Sequence, residues 1–125
     1  MRQPAHVRLA LLVGLAGASA VLLGAFGAHA LRGVLDARGI ELWHTAVEYH
    51  AWHALALALA VALGRGRGGR LATTAFAAGI VLFSGSLYAL ALGAPRWVGI
   101  VTPFGGLAFV TGWLALGWAL RPRHE

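Results

Sequence analysis

Four apolar runs of nearly equal length, Leu9 to Leu31, Leu42 to Leu63, Leu71 to Gly93 and Val98 to Leu120, decide the class of this chain. They hold 23, 22, 23 and 23 residues, and about 20 residues suffice for a helix to cross the hydrocarbon core. No other segment exceeds ten residues, which leaves no soluble domain to host a catalytic centre. Backbone inside a bilayer must satisfy its own hydrogen bonds, and runs of this length do so as helices. The expectation is an all-α membrane protein, four transmembrane helices in an up-down bundle. Residues 1–125 then form a single domain, with spans at about 9–31, 42–63, 71–93 and 98–120.

The formal charge of +6 with a hydrophobic content of 59% fits a membrane surface better than nucleic acid. All ten basic residues are arginine, and they sit at the ends of the apolar runs. Arg2, Arg8, Arg65, Arg67, Arg70, Arg121 and Arg123 fall on one side; Arg32, Arg38 and Arg96 fall on the other. The positive-inside rule then predicts both termini cytoplasmic. The tract Arg65-Gly66-Arg67-Gly68-Gly69-Arg70 reads as a tight cytoplasmic hairpin rather than an RNA-binding segment, and no nucleic-acid partner is expected. Heavy alanine and glycine use beside an all-arginine basic set suggests a GC-rich bacterial source, and hence a bacterial inner membrane. Cysteine is absent, which excludes disulfides and thiolate ligands. The first run, ending near Ala28-His29-Ala30, is too long for a signal core of about 7–15 residues, so a retained helix is predicted.

Small residues recur every four positions at Ala16, Ala20, Gly24 and Ala28, and again at Gly85, Ala89 and Gly93. Such stripes let neighbouring helices approach closely, because lipid supplies no hydrophobic drive for their association. The connection from Arg32 to Glu41 is amphipathic and suggests a short interfacial helix. Trp43, Trp97 and Tyr88 near one boundary and Trp118 near the other suggest aromatic belts. Trp113, deeper in its span, reads as core or lipid-facing. Thr102-Pro103-Phe104-Gly105-Gly106 suggests either a kink or an unwound segment lining a cavity.

The second run carries His44, Glu48, Tyr49, His50 and His53. Ionisable groups in hydrocarbon are expensive unless paired or hydrated. At 1.5 Å per residue, His29 lies about 3 Å from the outer boundary, Thr102 about 6 Å, Tyr88 about 8 Å, Glu48 about 9 Å, Ser84 about 14 Å and His53 about 17 Å. Every span thus places polar groups in the outer half, which predicts a polar pocket open to the periplasm. His44 and Glu48 share one face; Tyr49 and His53 share another, about 100° away. The second helix is polar over more than half its outer circumference, so a homo-oligomer or a larger membrane complex is expected.

His50 and His53 are one turn apart, and His29 could join them around non-haem iron, copper, zinc or a haem. No HExxH or comparable metal motif is present.

The segments Gly24-Ala25-Phe26-Gly27-Ala28-His29-Ala30-Leu31, Glu48-Tyr49 followed by His53, Leu82-Phe83-Ser84-Gly85-Ser86-Leu87-Tyr88 and Thr102-Pro103-Phe104-Gly105-Gly106 together resemble one family. It is the small four-span membrane family catalogued as domain of unknown function 423. The resemblance covers nearly the whole chain and implies a four-helix integral membrane protein, with no established activity. It implies that His29 and His53 belong to the motifs and that His44 and His50 do not. The set it leaves is His29, Glu48, Tyr49, His53, Ser84, Ser86, Tyr88 and Thr102, an intramembrane cluster with no catalytic assignment.

Three readings follow. The most economical is a non-enzymatic membrane component whose polar cluster holds helices together or docks a partner, with no cofactor expected. The second is a small-solute or proton pathway using Glu48. The third is haem or metal binding through His29 and His53.

Overall fold

A computed structural model describes residues 4–123. Arg2, part of the orientation count, lies outside them. The chain is helical throughout, with four helices long and apolar enough to cross a membrane: α1 (Pro4–His29), α2 (Ala37–Leu63), α3 (Gly66–Ala91) and α4 (Arg96–Leu120). Their 25 to 27 residues correspond to about 38–40 Å, longer than the hydrocarbon core, so their ends project into the headgroups.

Short connections force adjacent helices antiparallel. The amphipathic segment after α1 makes no separate interfacial helix, contrary to expectation. It turns at Leu31–Leu35 and then feeds α2, whose N-cap is Asp36 with Oδ1 accepting from the Gly39 amide at 2.7 Å. A side-chain cap offers that first turn the acceptor its amides lack, so helix wins over loop. The turn from α2 to α3 is only Gly64-Arg65, and Arg67 and Arg70 already lie on α3. Just after α3, Gly93 takes a positive φ of 99°, the usual device for reversing a chain after a helix.

Helices α2, α3 and α4 form the packed core. On α2 the buried residues Trp43, Ala46, His50, His53, Leu57 and Ala60 alternate at three and four positions, one continuous seam. Between α3 and α4, large residues enter gaps left by glycine. The Phe76 ring lies over Gly112, and the Phe109 ring lies over Gly79. These glycines form the α3 seam. The expected stripe Gly85, Ala89 and Gly93 does not: neither Gly85 nor Gly93 has a close neighbour. α1 is peripheral, with Ala20 its only buried residue. Its stripe serves α2, through Gly24 against Val47 and Gly27 beneath Trp43.

Two irregularities differ from the sequence reading. The Thr102–Gly106 motif is not unwound. Arg96–Ile100 is a 3₁₀ turn, and α-helix runs from Val101 through Pro103 to Leu120. Proline is tolerated there because a helix's first amides lack intrahelical acceptors anyway. The real defect is in α3, a π-turn at Ile80–Ser84 in which the Gly85 amide bonds to the Ile80 carbonyl. Gly105 accounts for the close fit: the α3 backbone at Phe83 lies against it, with no space for a Cβ.

Candidate functional site

The seam of α2 delivers two histidines into the core, each to its own set of partners. His53 is 6% exposed and faces α4. Its Nδ1 lies 2.7 Å from the Tyr49 carbonyl, and its Nε2 lies 3.1 Å from the Trp113 indole nitrogen. A carbonyl only accepts and an indole N–H only donates, so Nδ1 carries the proton and Nε2 accepts. The ring lies flat on Phe109, with centroids 3.5 Å apart at 10°. His53 is therefore neutral, with both nitrogens engaged.

His50, 4% exposed, uses the opposite tautomer. Its Nε2 donates to the Ala16 carbonyl at 3.0 Å, with Ser19 Oγ 3.1 Å away, and its Nδ1 accepts from the Tyr88 hydroxyl at 2.9 Å. One imidazole thus ties α1, α2 and α3 together. The family resemblance had left His50 outside the set; the structure makes it the most connected polar side chain in the bundle. The signal was available in its place on the three-four seam between Ala46 and His53. Trp43, expected in an aromatic belt, is likewise buried. Its indole donates to the Leu23 carbonyl at 2.9 Å, and its ring packs 4.7 Å from that of Tyr88.

The hydroxyls are bonds between helices. Ser84, fully buried beside the π-turn, donates to the Ala46 carbonyl at 2.7 Å. Ser86 Oγ and Thr102 Oγ1 are 2.6 Å apart, joining α3 to α4. Tyr49 keeps its ring on Phe83, centroids 4.6 Å apart, while the residue as a whole is exposed. Among the described residues, no buried side-chain nitrogen or oxygen lacks a partner.

His29 and Glu48 stand apart. His29 ends α1 and is exposed, and Glu48 is exposed on the outside of the bundle. A groove of about 350 Å³ between α1 and α2 is lined by Gly24, Ala28, Trp43, His44, Val47 and Glu48. The eight sequence-selected residues therefore do not share one pocket. Tyr88, Ser84, Ser86, Thr102 and His53 form separate direct contacts within the bundle. Of the eight, only Glu48 lines this groove, and Thr102 does not. The reason is helical phase: similar depth puts groups at one level, but direction decides whether they meet.

No group of three or more histidines or acidic residues that could hold a metal occurs among the described residues. His29 and His53 are also wrongly placed for a shared ion or haem. α1 and α2 pack antiparallel, with Gly27 at the level of Trp43, so His53 lies roughly 18 Å along the bundle from His29. Zinc, by comparison, sits about 2 Å from an imidazole nitrogen. The residues present do not fit a bis-histidine site.

Residues 23–106 match the family model described as "Protein of unknown function (DUF423)". All four motifs quoted above fall inside that range. The chain belongs to this family. A protein named "UPF0382 membrane protein" in Haemophilus influenzae is 44% identical over 109 residues, covering 86% of this chain and 88% of that one. The "UPF0382 membrane protein YwdK" of Bacillus subtilis is 42% identical over 101 residues, covering 78% and 82%. The "UPF0382 inner membrane protein YgdD" of Escherichia coli is 42% identical over 112 residues, covering 84% and 83%. No solved structure matches this DUF423 chain. With four spanning helices and relatives named as membrane proteins, it is an integral membrane protein.

Proposed function

We propose that this is a non-enzymatic component of the bacterial inner membrane, with both termini cytoplasmic, that docks a second copy of itself along the α1–α2 groove. The observation that carries this reading is Glu48, a carboxylate in the middle of a spanning helix, exposed, on a stripe with Trp52, Leu55 and Leu59. Such a residue facing acyl chains is costly, whereas the buried polar atoms of the bundle are already satisfied within the chain. His44 lies one turn from Glu48 on the same groove. In a two-fold pair the two α2 helices run parallel and present the same patch to each other. His44 of one copy then meets Glu48 of the other, twice.

Glu48→Leu or His44→Leu should weaken self-association about tenfold, because each removes both symmetric contacts at an average of about 0.6 kcal/mol apiece. The exchange His44→Glu with Glu48→His should restore it. Sedimentation in detergent, or photobleaching counts in nanodiscs, reads the oligomer directly. Unchanged association in both single variants would remove the pairing. A proton or solute pathway through Glu48 is less well supported, because Thr102 and the residues near it pack on α3 rather than lining a channel with Glu48.

The orientation rests on the arginine asymmetry. Since the chain has no cysteine, Trp97→Cys should react with an impermeant thiol reagent in whole cells. Arg67→Cys should react only after permeabilisation. The reverse pattern would overturn the orientation.

A further inference from the structure

A cavity lies at the arginine-rich end of the bundle, away from His50 and His53. It has a volume of about 750 Å³ and opens between α1 and α3, with the end of α2 as its floor. It stays open because α1 packs on α2 and makes no extensive contact with α3. Arg8 and Arg70 share the lining with apolar Leu9, Ala60 and Val61 and with Thr73 and Thr74. Among the described residues, none of those lining it is a carboxylate. Gly66 also borders the space at the start of α3, and Arg65 gives that helix no side-chain cap. Its first amides add positive potential to that of the arginines.

We propose that this cleft binds one anionic glycerophospholipid, with its phosphate between Arg8 and Arg70 and an acyl chain against Leu9 and Val61. Two guanidinium groups match a phosphodiester in charge and hydrogen-bond geometry. The apolar wall matches a chain rather than water. Helix-lined basic pockets near a membrane surface are suited to such headgroups. A free anion would leave Leu9, Ala60 and Val61 uncovered.

The test uses the full chain, purified in a neutral detergent and titrated with phosphatidylglycerol or phosphatidylcholine, with bound lipid counted by native mass spectrometry. The wild-type chain should retain one phosphatidylglycerol in preference to phosphatidylcholine by about tenfold or more. The double variant Arg8→Gln/Arg70→Gln should lose that preference. The charge-matched double variant Arg121→Gln/Arg123→Gln, at the same end but outside the cleft, should keep it within about twofold. Thr74→Trp obstructs the cleft and retains both arginines; it should also lose the lipid, with helix content unchanged by circular dichroism. If Arg8→Gln/Arg70→Gln alters helix content, Thr74→Trp decides alone. Equal retention in the cleft variants, or equal loss in the charge-matched control, overturns the site. Displacement of the lipid by inorganic phosphate at the same concentration overturns the lipid assignment in favour of a simple anion pocket.

Discussion

Gly105→Ala is expected to destabilise the bundle by about 1–3 kcal/mol, whereas Gly106→Ala, one residue away, should be neutral or stabilising by up to about 1 kcal/mol. A Cβ on Gly105 would overlap the α3 backbone, with the Phe83 Cα only 2.7 Å away. A Cβ on Gly106 would find its nearest neighbour at 3.9 Å, the Phe83 ring. Flexible side chains can yield by a few tenths of an ångström, but backbone cannot do so cheaply. Here the backbone is doubly held. It forms the π-turn at Ile80–Ser84, and Ser84 is anchored to the Ala46 carbonyl on α2. Without that clash, alanine would be the better helix former by about 1 kcal/mol. Unfolding in mixed micelles, monitored by circular dichroism, measures both variants. Equal stability of the two would mean that the α3–α4 contact is not set by the missing side chain at position 105.

The second large effect belongs to Trp43. Trp43→Ala should cost about 3–5 kcal/mol, the range for truncating a buried tryptophan, and should detach α1 selectively. α1 has a single buried residue, so its attachment relies on a few specific contacts. Trp43 supplies several: the bond to the Leu23 carbonyl, the tilted contact with Phe26 at 6.1 Å and the fit beneath Gly27. His50 supplies the other polar tie, to Ala16. Hydrogen exchange should accelerate through α1 while α3 and α4 remain protected. Trp43→Phe retains most of the packing and loses the bond, so it should fall between, at about 0.6–2 kcal/mol. Uniform loss of protection in all four helices would show instead that α1 is integral to the core.

Much of the fold was legible because membrane insertion imposes a one-dimensional constraint. Run length alone places four spans, since unsatisfied backbone is not tolerated in hydrocarbon. The polar residues were also legible as a set, because polar groups in apolar runs stand out. Their partners were less so. Depth and periodicity put His29, Glu48, Tyr88 and Thr102 in the same half of the bilayer, but Tyr88 turns to His50, Thr102 to Ser86, and Glu48 outward. Family motifs pointed away from His50, although its place on the three-four seam of α2 pointed inward. Pro103 is conspicuous in sequence and has little structural consequence at the start of a helix. The π-turn in Ile80–Ser84 has no comparable sequence signal, because its residues suit an α-helix equally well.

The amino-acid sequence by itself determined the number of spans, their lengths, the excess of arginine at one end and the polar groups the bilayer must accommodate. Those properties depend on composition along a line. Tertiary structure alone decided which groups meet: the two histidines with opposite tautomers, the glycine that receives the π-turn, the exposed carboxylate and the cleft beside α1. Each depends on helix rotation and separation. In a bilayer these are set by close packing and interhelical bonds rather than by burial of apolar surface.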